Sequence, residues 1–249
     1  MSGVDRQNRA RLLNKGLKLN EQTLSRRLER VAAHVPQGAR LADIGSDHGY
    51  LPVALMLRGV IEAGVAGEVA QTPFASAQRN VRKNGLEERI TIRLADGLEA
   101  IEAHDRISAI SICGMGGETM CEILERGKQR LGGNERLILQ PNGGERELRQ
   151  WLMENGYRIV SEELLRENRF DYEIIVAEPG AAVAYTAEEL YFGPLLLQQR
   201  SEAFLVKWRR MLRQKQQTLA NFERARDAVP VAKTDEFARQ IAWINQVLG

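Results

Sequence analysis

The sequence predicts a doubly wound α/β fold with a helical appendage, and three observations carry that reading. Five short apolar runs alternate with segments of helical periodicity between residues 40 and 155, the pattern of a mostly parallel sheet with right-handed crossovers. Two β-rich runs, Tyr157 to Leu165 and Phe170 to Ala177, follow each other closely enough to pair as a terminal antiparallel hairpin, with Asn168 near the turn. Past Pro179-Gly180 the composition changes to two long helical stripes, which suit an antiparallel, coiled-coil-like hairpin.

The elements follow in order. Residues 1–16 are polar, basic and aperiodic, and form an expected flexible extension. Leu24, Leu28, Val31 and Ala32 then fall at helical spacing until Pro36-Gln37-Gly38 stops the helix. The first strand, Arg40 to Ile44, runs into Gly45-Ser46-Asp47-His48-Gly49, after which Tyr50-Leu51-Pro52 opens a helix whose first turn suits proline. A second strand, Gly64 to Glu68, ends in an acid. Thr72-Pro73 reads as a cap and first helical residue, and Phe74, Ala77 and Val81 mark a buried face up to Asn84-Gly85.

The third strand, Ile90 to Leu94, leads to Asp96-Gly97, and the fourth, Ile107 to Cys113, to Gly114-Met115-Gly116-Gly117. A helix with Met120, Ile123 and Leu124 on one face stops near Gly127. The fifth strand, Arg136 to Gln140, precedes a helix carrying Leu148, Trp151 and Leu152. In the tail, Phe204, Leu205, Trp208, Met211, Leu212, Leu219 and Phe222 form the first stripe. Val229-Pro230 breaks it, and Thr234 is the expected cap of a second helix bearing Phe237, Ile241, Ile244 and Leu248. The expected domains are therefore the extension 1–16, an α/β domain at 17–180 and a helical hairpin at 181–249.

Composition narrows the class. No run approaches the roughly 20 apolar residues that span a bilayer, and no cleavage-type signal opens the chain, so a cytoplasmic protein with no membrane association is expected. Cys113 and Cys121 form no CxxC pair, and reduced thiols are the default. His34, His48 and His104 sit in no cluster with cysteines or acids, so no metal is expected. The net charge of +2 hides a segregation: residues 1–40 carry nine Lys/Arg against three Asp/Glu, and residues 200–249 ten against five. Basic ends flanking an acidic body suit either a polyanionic partner or solvated helix faces.

In open α/β sheets, ligands bind beyond the carboxyl ends of the strands. Gly45 to Gly49, Glu68, Asp96-Gly97, Cys113 to Gly117 and Gln140-Pro141-Asn142 all lie at such ends. Gly45 and Gly49 admit close approach of the main chain to a ligand. Glu68, 23 residues after Gly45, can accept both hydroxyls of a ribose, and Asp96 can take an adenine amino group. Asp47 would repel a pyrophosphate and the third glycine of G-x-G-x-x-G is missing. A cofactor with a cationic part fits better, and S-adenosyl-L-methionine carries an ammonium and a sulfonium beside ribose and adenine. The expected cofactor residues are Asp43, Gly45, Ser46, Asp47, Gly49, Glu68, Asp96, Gly97, Cys113 and Gly114.

The Asp43-x-Gly45-x-Asp47-x-Gly49 block resembles the first motif of class I methyltransferases, with Asp47 where the middle glycine usually stands. More closely, Ala42 to Pro52, Gly114-Met115-Gly116-Gly117, Leu139-Gln140-Pro141-Asn142, Gly193-Pro194, Phe204-Leu205 and Lys207-Trp208 resemble the bacterial tRNA (adenine-N1) methyltransferases that modify adenine 22 in the D-arm. The resemblance spans roughly Leu17 to Leu248. It departs at Gly49, where an alanine also suits, at the basic extension, and at Gly143-Gly144, beside the expected base pocket.

The resemblance implies a Rossmann-like class I methyltransferase fold and transfer of a methyl group to adenine N1 of tRNA, with another RNA, a protein, a small molecule or a non-catalytic RNA-binding role as alternatives. Adenine N1 has a free lone pair, so positioning dominates and no strong base is needed. Asp47 is the candidate for stabilising developing cationic charge, its other role being to hold the methionine ammonium. Gln140 and Asn142 can read the adenine edge. Gly116 and Gly117 are expected to keep the pocket wall low, and Tyr50 and Met115 to stack on a base or to fill the core. Lys207, Arg209, Arg210 and Arg213 are the candidate phosphate contacts, with a dimerising or packing hairpin as the competing role. The expected assembly is a monomer or weak homodimer.

Overall fold

The computed structural model describes residues 23–223 and 231–249; the expected basic extension at 1–16 and the Val229-Pro230 break lie outside the described residues. The chain runs α1 (Arg26–Ala32), β1 (Ala39–Ile44), α2 (Tyr50–Leu57), β2 (Ile61–Glu68), α3 (Gln71–Lys83), β3 (Ile90–Leu94), β4 (Ala109–Met115), α4 (Gly117–Arg126), β5 (Arg136–Pro141) and α5 (Glu145–Glu154). It continues through β6 (Tyr157–Glu167), β7 (Phe170–Pro179), α6 (Ala187–Phe192), α7 (Pro194–Gln199), α8 (Glu202–Glu223) and α9 (Val231–Leu248).

The seven strands form one sheet in the order β3-β2-β1-β4-β5-β7-β6. β1 to β5 are parallel, and β7 pairs antiparallel with both β5 and β6. The order reverses between β1 and β4, so the crevice for a ligand falls at the carboxyl ends of those two strands. Alternate side chains of the buried strands face opposite layers. Leu41, Val53, Leu55, Val81 and Ile138 join α1, α2 and α3 on one face, while Ala42, Ile44, Met120, Leu124, Leu148 and Leu152 join α4 and α5 on the other.

Two caps differ from the expected ones. Helix α3 begins at Gln71 with Ala70 at its cap and no side-chain cap bond, one residue before Thr72. Helix α9 begins at Val231, so Thr234 lies inside its first turn and its hydroxyl donates to the Val231 carbonyl at 2.7 Å.

The helices after β7 build their own core from Phe192, Leu196, Phe204, Trp208, Ile244 and Val247. They are fastened to the sheet by buried charge. Arg149 of α5 is fully buried; its Nε donates to Glu162 of β6 at 2.7 Å, its Nη2 pairs with Glu173 of β7, and its Nη1 donates to the Leu190 carbonyl of α6 at 3.2 Å. Glu173 also binds Lys207 of α8, and Asp171 binds Arg210. Glu162 in turn accepts from the Leu195 and Leu196 N–H groups at the start of α7. With every member bonded, this network sets the angle between hairpin and sheet.

Candidate active site

The β1–α2 loop is shaped by three left-handed residues, Gly45, Asp47 and Gly49, with φ of 69°, 60° and 68°. At Asp47 such a conformation is uncommon for a residue with a side chain and marks strain held by its surroundings. The loop turns sharply enough to leave the Asp47 side chain exposed while its backbone N–H donates to Glu68. Gly45 needs its bare Cα, because a Cβ there would lie 2.1 Å from Met115 Cε.

Asp43, next to last in β1, is almost wholly buried. Ser46 Oγ donates to it at 2.5 Å and Ser111 Oγ of β4 at 2.6 Å. Burial raises the pKa of its carboxyl, against the pull of both hydroxyls and of Arg27. Glu68, at the end of β2, is only 5% exposed, and its Oε1 has no hydrogen-bond partner. Burial, helped by the Asp43 and Asp47 charges, pushes its pKa up to about 7 despite the Asp47 N–H. A buried carboxylate oxygen without a partner is costly in isolation, and two ribose hydroxyls would satisfy it.

A cavity of about 340 Å³ opens beside this loop, lined by Asp43, Gly45, Ser46, Asp47, Tyr50, Cys113, Gly114 and Met115, and by Arg27 and Leu28 of α1. Gly49 caps α2 just behind it. The buried surroundings of Cys113 push its thiol pKa up, so it is a neutral wall and not a nucleophile. Gln140 and Asn142 stand on the neighbouring strand end. Gln140 is fully buried, donates to the Pro141 carbonyl at 2.8 Å and to Asn142 Oδ1 at 3.1 Å, and accepts from Arg27 Nη1. Asn142 is exposed, and its amide donates to the Gly114 carbonyl at 2.9 Å, joining the β4 and β5 ends into one shelf.

Other expected residues lie differently. Asp96 is exposed and ion-paired with Arg126 at 2.9 Å, and neither it nor Gly97 lines the cavity, nor do Glu68, Gln140 and Asn142, which lie at the neighbouring strand ends. Gly97 is buried with φ 55°, where a Cβ would press on Ile123 at 3.0 Å. Gly116 and Gly117 start α4, and a Cβ on Gly117 would lie 2.0 Å from the Gly144 carbonyl. Gly117 thus serves a close backbone crossing with the Gly143-Gly144 turn, whose Gly143 carbonyl accepts from its N–H at 2.8 Å. Met115 folds over Gly45 and packs on the core, and Tyr50 meets the His48 ring at 5.0 Å.

On α8 the basic set divides. Lys207 and Arg210 turn inward onto Glu173 and Asp171, a structural duty in place of the expected phosphate contact, whereas Arg209 and Arg213 are exposed. Arg27 and Ser111 were not among the expected residues. Ser111 is an ordinary mid-strand serine in sequence, and Arg27 lies on a helix before the sheet begins, so no local spacing ties either to the loop. Among the described residues no group of three or more His, Cys, Asp or Glu is placed to hold a metal, and no helix is long and apolar enough to cross a membrane.

A 3-2-1-4-5-7-6 sheet, a glycine-bent loop after β1 and an acid with an unsatisfied oxygen at the end of β2 define a Rossmann-like methyltransferase that uses S-adenosyl-L-methionine. Residues 41–246 match the family model described as tRNA (adenine(22)-N(1))-methyltransferase, and the chain belongs to that family. It is 40% identical over 236 residues to the tRNA (adenine(22)-N(1))-methyltransferase of Bacillus subtilis, covering 92% of this chain and 99% of that one. The crystal structure of the B. subtilis m1A22 tRNA methyltransferase TrmK superposes with a TM-score of 0.86 at 38% identity, over 92% of this chain and 100% of that one. The Streptococcus pneumoniae protein Sp1610 in complex with S-adenosyl-L-methionine gives 0.82 at 42% identity, over 90% and 99%.

Proposed function

We infer that this chain methylates N1 of adenine 22 in the D-arm of tRNA. The observation that carries the reading is the end-to-end match to the B. subtilis enzyme of that activity, 99% of which is covered. S-adenosyl-L-methionine supplies a methyl group on a cationic sulfur. Asp43, Gly45, Ser46, Asp47, Gly49, Glu68, Cys113 and Gly114 surround the cofactor, with Glu68 holding the ribose.

Exposed Asn142 orients the adenine edge so that its N1 lone pair faces the methyl group, and Gln140, fully buried with its amide spent on Pro141, Asn142 and Arg27, holds Asn142 in place instead of reading the base itself. Alignment of this kind can recover roughly 7–11 kcal/mol of barrier. Asp47, exposed at the mouth of the cavity, offsets the positive charge that the base acquires. Tyr50 and Met115 shape the space between donor and base. Arg209 and Arg213 are free to meet phosphates of the RNA.

The enzyme works on tRNA in the cytoplasm as a monomer or weak homodimer, with residues 17–180 forming the cofactor domain and 181–249 the helical one. The test is methyl transfer to unmodified bacterial tRNA followed by mapping of the modified nucleotide. N1-methyladenosine at position 22 is the expected product; a methylated guanine, or no RNA product, refutes the reading.

A further inference from the structure

The turn between β6 and β7 is built against its own backbone preference. The hairpin pairs Glu167 with Phe170, which leaves Asn168 and Arg169 as a two-residue loop, and both are left-handed, with φ of 50° and 73°. That is the geometry of a type I′ turn, whose second central position normally falls to glycine. An arginine there is strained, and such strain persists only where the surroundings hold it in place. They do so from both sides. Glu167 accepts from the Arg26 and Arg27 N–H groups at the start of α1 at 2.9 and 3.1 Å, and Asp171 is bound to Arg166 at 3.0 Å and to Arg210 of α8.

Arg169 and Phe170 are what this anchored tip presents. Phe170 is 65% exposed, and its ring lies 6.3 Å from that of Tyr172. The tip is also the common wall of two clefts. Asn168 lines one of about 570 Å³ that shares Asp47 and Tyr50 with the cofactor cavity. Arg169 and Phe170 line another of about 530 Å³ that reaches Gly143-Gly144, next to Asn142, and the two long helices α8 and α9. Of the cations around this second cleft, Lys207, Arg210 and Arg146 are paired with Glu173, Asp171 and Glu236, and Lys215 donates to Gln240. Arg169 is exposed and has no acceptor among the described residues.

Adenine N1 lies on the edge that pairs, and the base lies in a stack, so methylation there requires the base to be turned out at the cost of unpairing and unstacking. A stacked contact for the neighbouring base offsets part of that cost, since every base offers a π-face to an aromatic ring. We propose that the β6–β7 tip receives the nucleotide next to the target adenine, Phe170 stacking on its base and Arg169 meeting its phosphate, and so holds the target turned toward Asn142. Glu145 and Glu147, which also line the second cleft, repel a phosphate deep between sheet and hairpin, which leaves the rim beside Arg169 for it. The proposal rests on the reading of a tRNA adenine as substrate and adds a positioning element outside the cofactor site.

The test uses the full chain and unmodified bacterial tRNA. Phe170→Ala should lower kcat/KM for tRNA about 5- to 100-fold and Phe170→Trp should keep most of it, while calorimetry shows S-adenosylhomocysteine binding to both as to wild type. With 2-aminopurine in place of the target adenine, saturating wild type should raise the fluorescence as the base leaves its stack, and saturating Phe170→Ala should raise it less. Arg169→Gly relieves the left-handed strain, so it should raise the unfolding midpoint and yet weaken tRNA binding, with a salt dependence lower by roughly one unit. Wild-type turnover and fluorescence in Phe170→Ala, the result if Phe170 faces a protein partner instead of RNA, overturn the proposal alone. An Arg169→Gly variant with the tRNA affinity and salt dependence of wild type overturns it as well. A wild type that makes no tRNA product overturns the functional reading and the proposal together.

Discussion

Glu68 makes a quantitative prediction. In the free protein its carboxyl titrates near 7, because burial and the Asp43 and Asp47 charges disfavour the anion. Ribose hydroxyls donate to the anion, so binding selects the ionised form and couples affinity to pH. With a pKa of about 7 in the free state, cofactor affinity should drop about twofold at pH 7 and about tenfold at pH 6 relative to its value at pH 8.5. Glu68→Gln keeps an acceptor for the Asp47 N–H but loses the charge. It should lower affinity at pH 8.5 roughly tenfold or more and remove the pH dependence between 6 and 8.5.

Stability should move the other way. The unfolded group ionises near 4.5 and the folded one near 7, so the folded state keeps the proton longer. The stabilising contribution is complete below pH 4.5 and is lost as pH rises through 7, with a ceiling of about 3 kcal/mol. Glu68→Gln should therefore raise the melting temperature of the cofactor-free protein above pH 7 while shrinking the further rise caused by ligand. Calorimetric titration of S-adenosylhomocysteine across pH 6 to 8.5, with parallel melting curves, measures both. An affinity independent of pH in wild type, or an unchanged affinity in Glu68→Gln, would falsify the assignment of Glu68 to the ribose.

Arg149→Met leaves the buried Glu162 without a cation and Glu173 with Lys207 alone, and should cost about 3–5 kcal/mol in urea unfolding. On α8, Arg209→Glu with Arg213→Glu should raise KM for tRNA and lower the salt dependence of binding by roughly one unit per lost phosphate contact, with the unfolding midpoint unchanged. Lys207→Ala is expected to lower the unfolding midpoint and to leave that salt dependence intact, because Lys207 faces Glu173.

Much of the fold is legible in the sequence because its signals are local. Apolar runs at period two and stripes at three and four mark the elements from α1 to β7 and the helices α8 and α9, and turn residues such as Asn155-Gly156 punctuate them, whereas α6 and α7, six residues each, are too short to show a stripe. The main slips, at Thr72 and Thr234, concern helix starts: a hydroxyl capable of capping sits within a residue or three of the true first turn, and local chemistry alone does not choose between the registers.

The site is legible only in part. The loop from Asp43 to Gly49, the strand-end Glu68 and the Gln140–Asn142 shelf announce themselves as polar or glycine residues where apolar strands stop. Asp96 and Lys207 carry equally suggestive chemistry, yet each is neutralised by a partner distant in sequence, Arg126 and Glu173. Gly117 reads as a low pocket wall and serves instead to let two backbones cross beside Gly144.

By itself, then, the sequence determined the alternation of strands and helices, the bent loop after β1 and the acids at strand ends, since each depends on backbone geometry and periodicity within a few residues. Tertiary structure alone decided which charges are spent inside the protein and which face a ligand. β7 enters the sheet between β5 and β6, bringing Glu173 under Arg149 and Lys207 and Tyr172 under Arg27. The strand ends converge so that Glu68 loses water without gaining a partner for Oε1. Burial and pairing are properties of neighbours in space, and those neighbours lie more than 100 residues apart in the chain where Arg27 meets Gln140 and Tyr172.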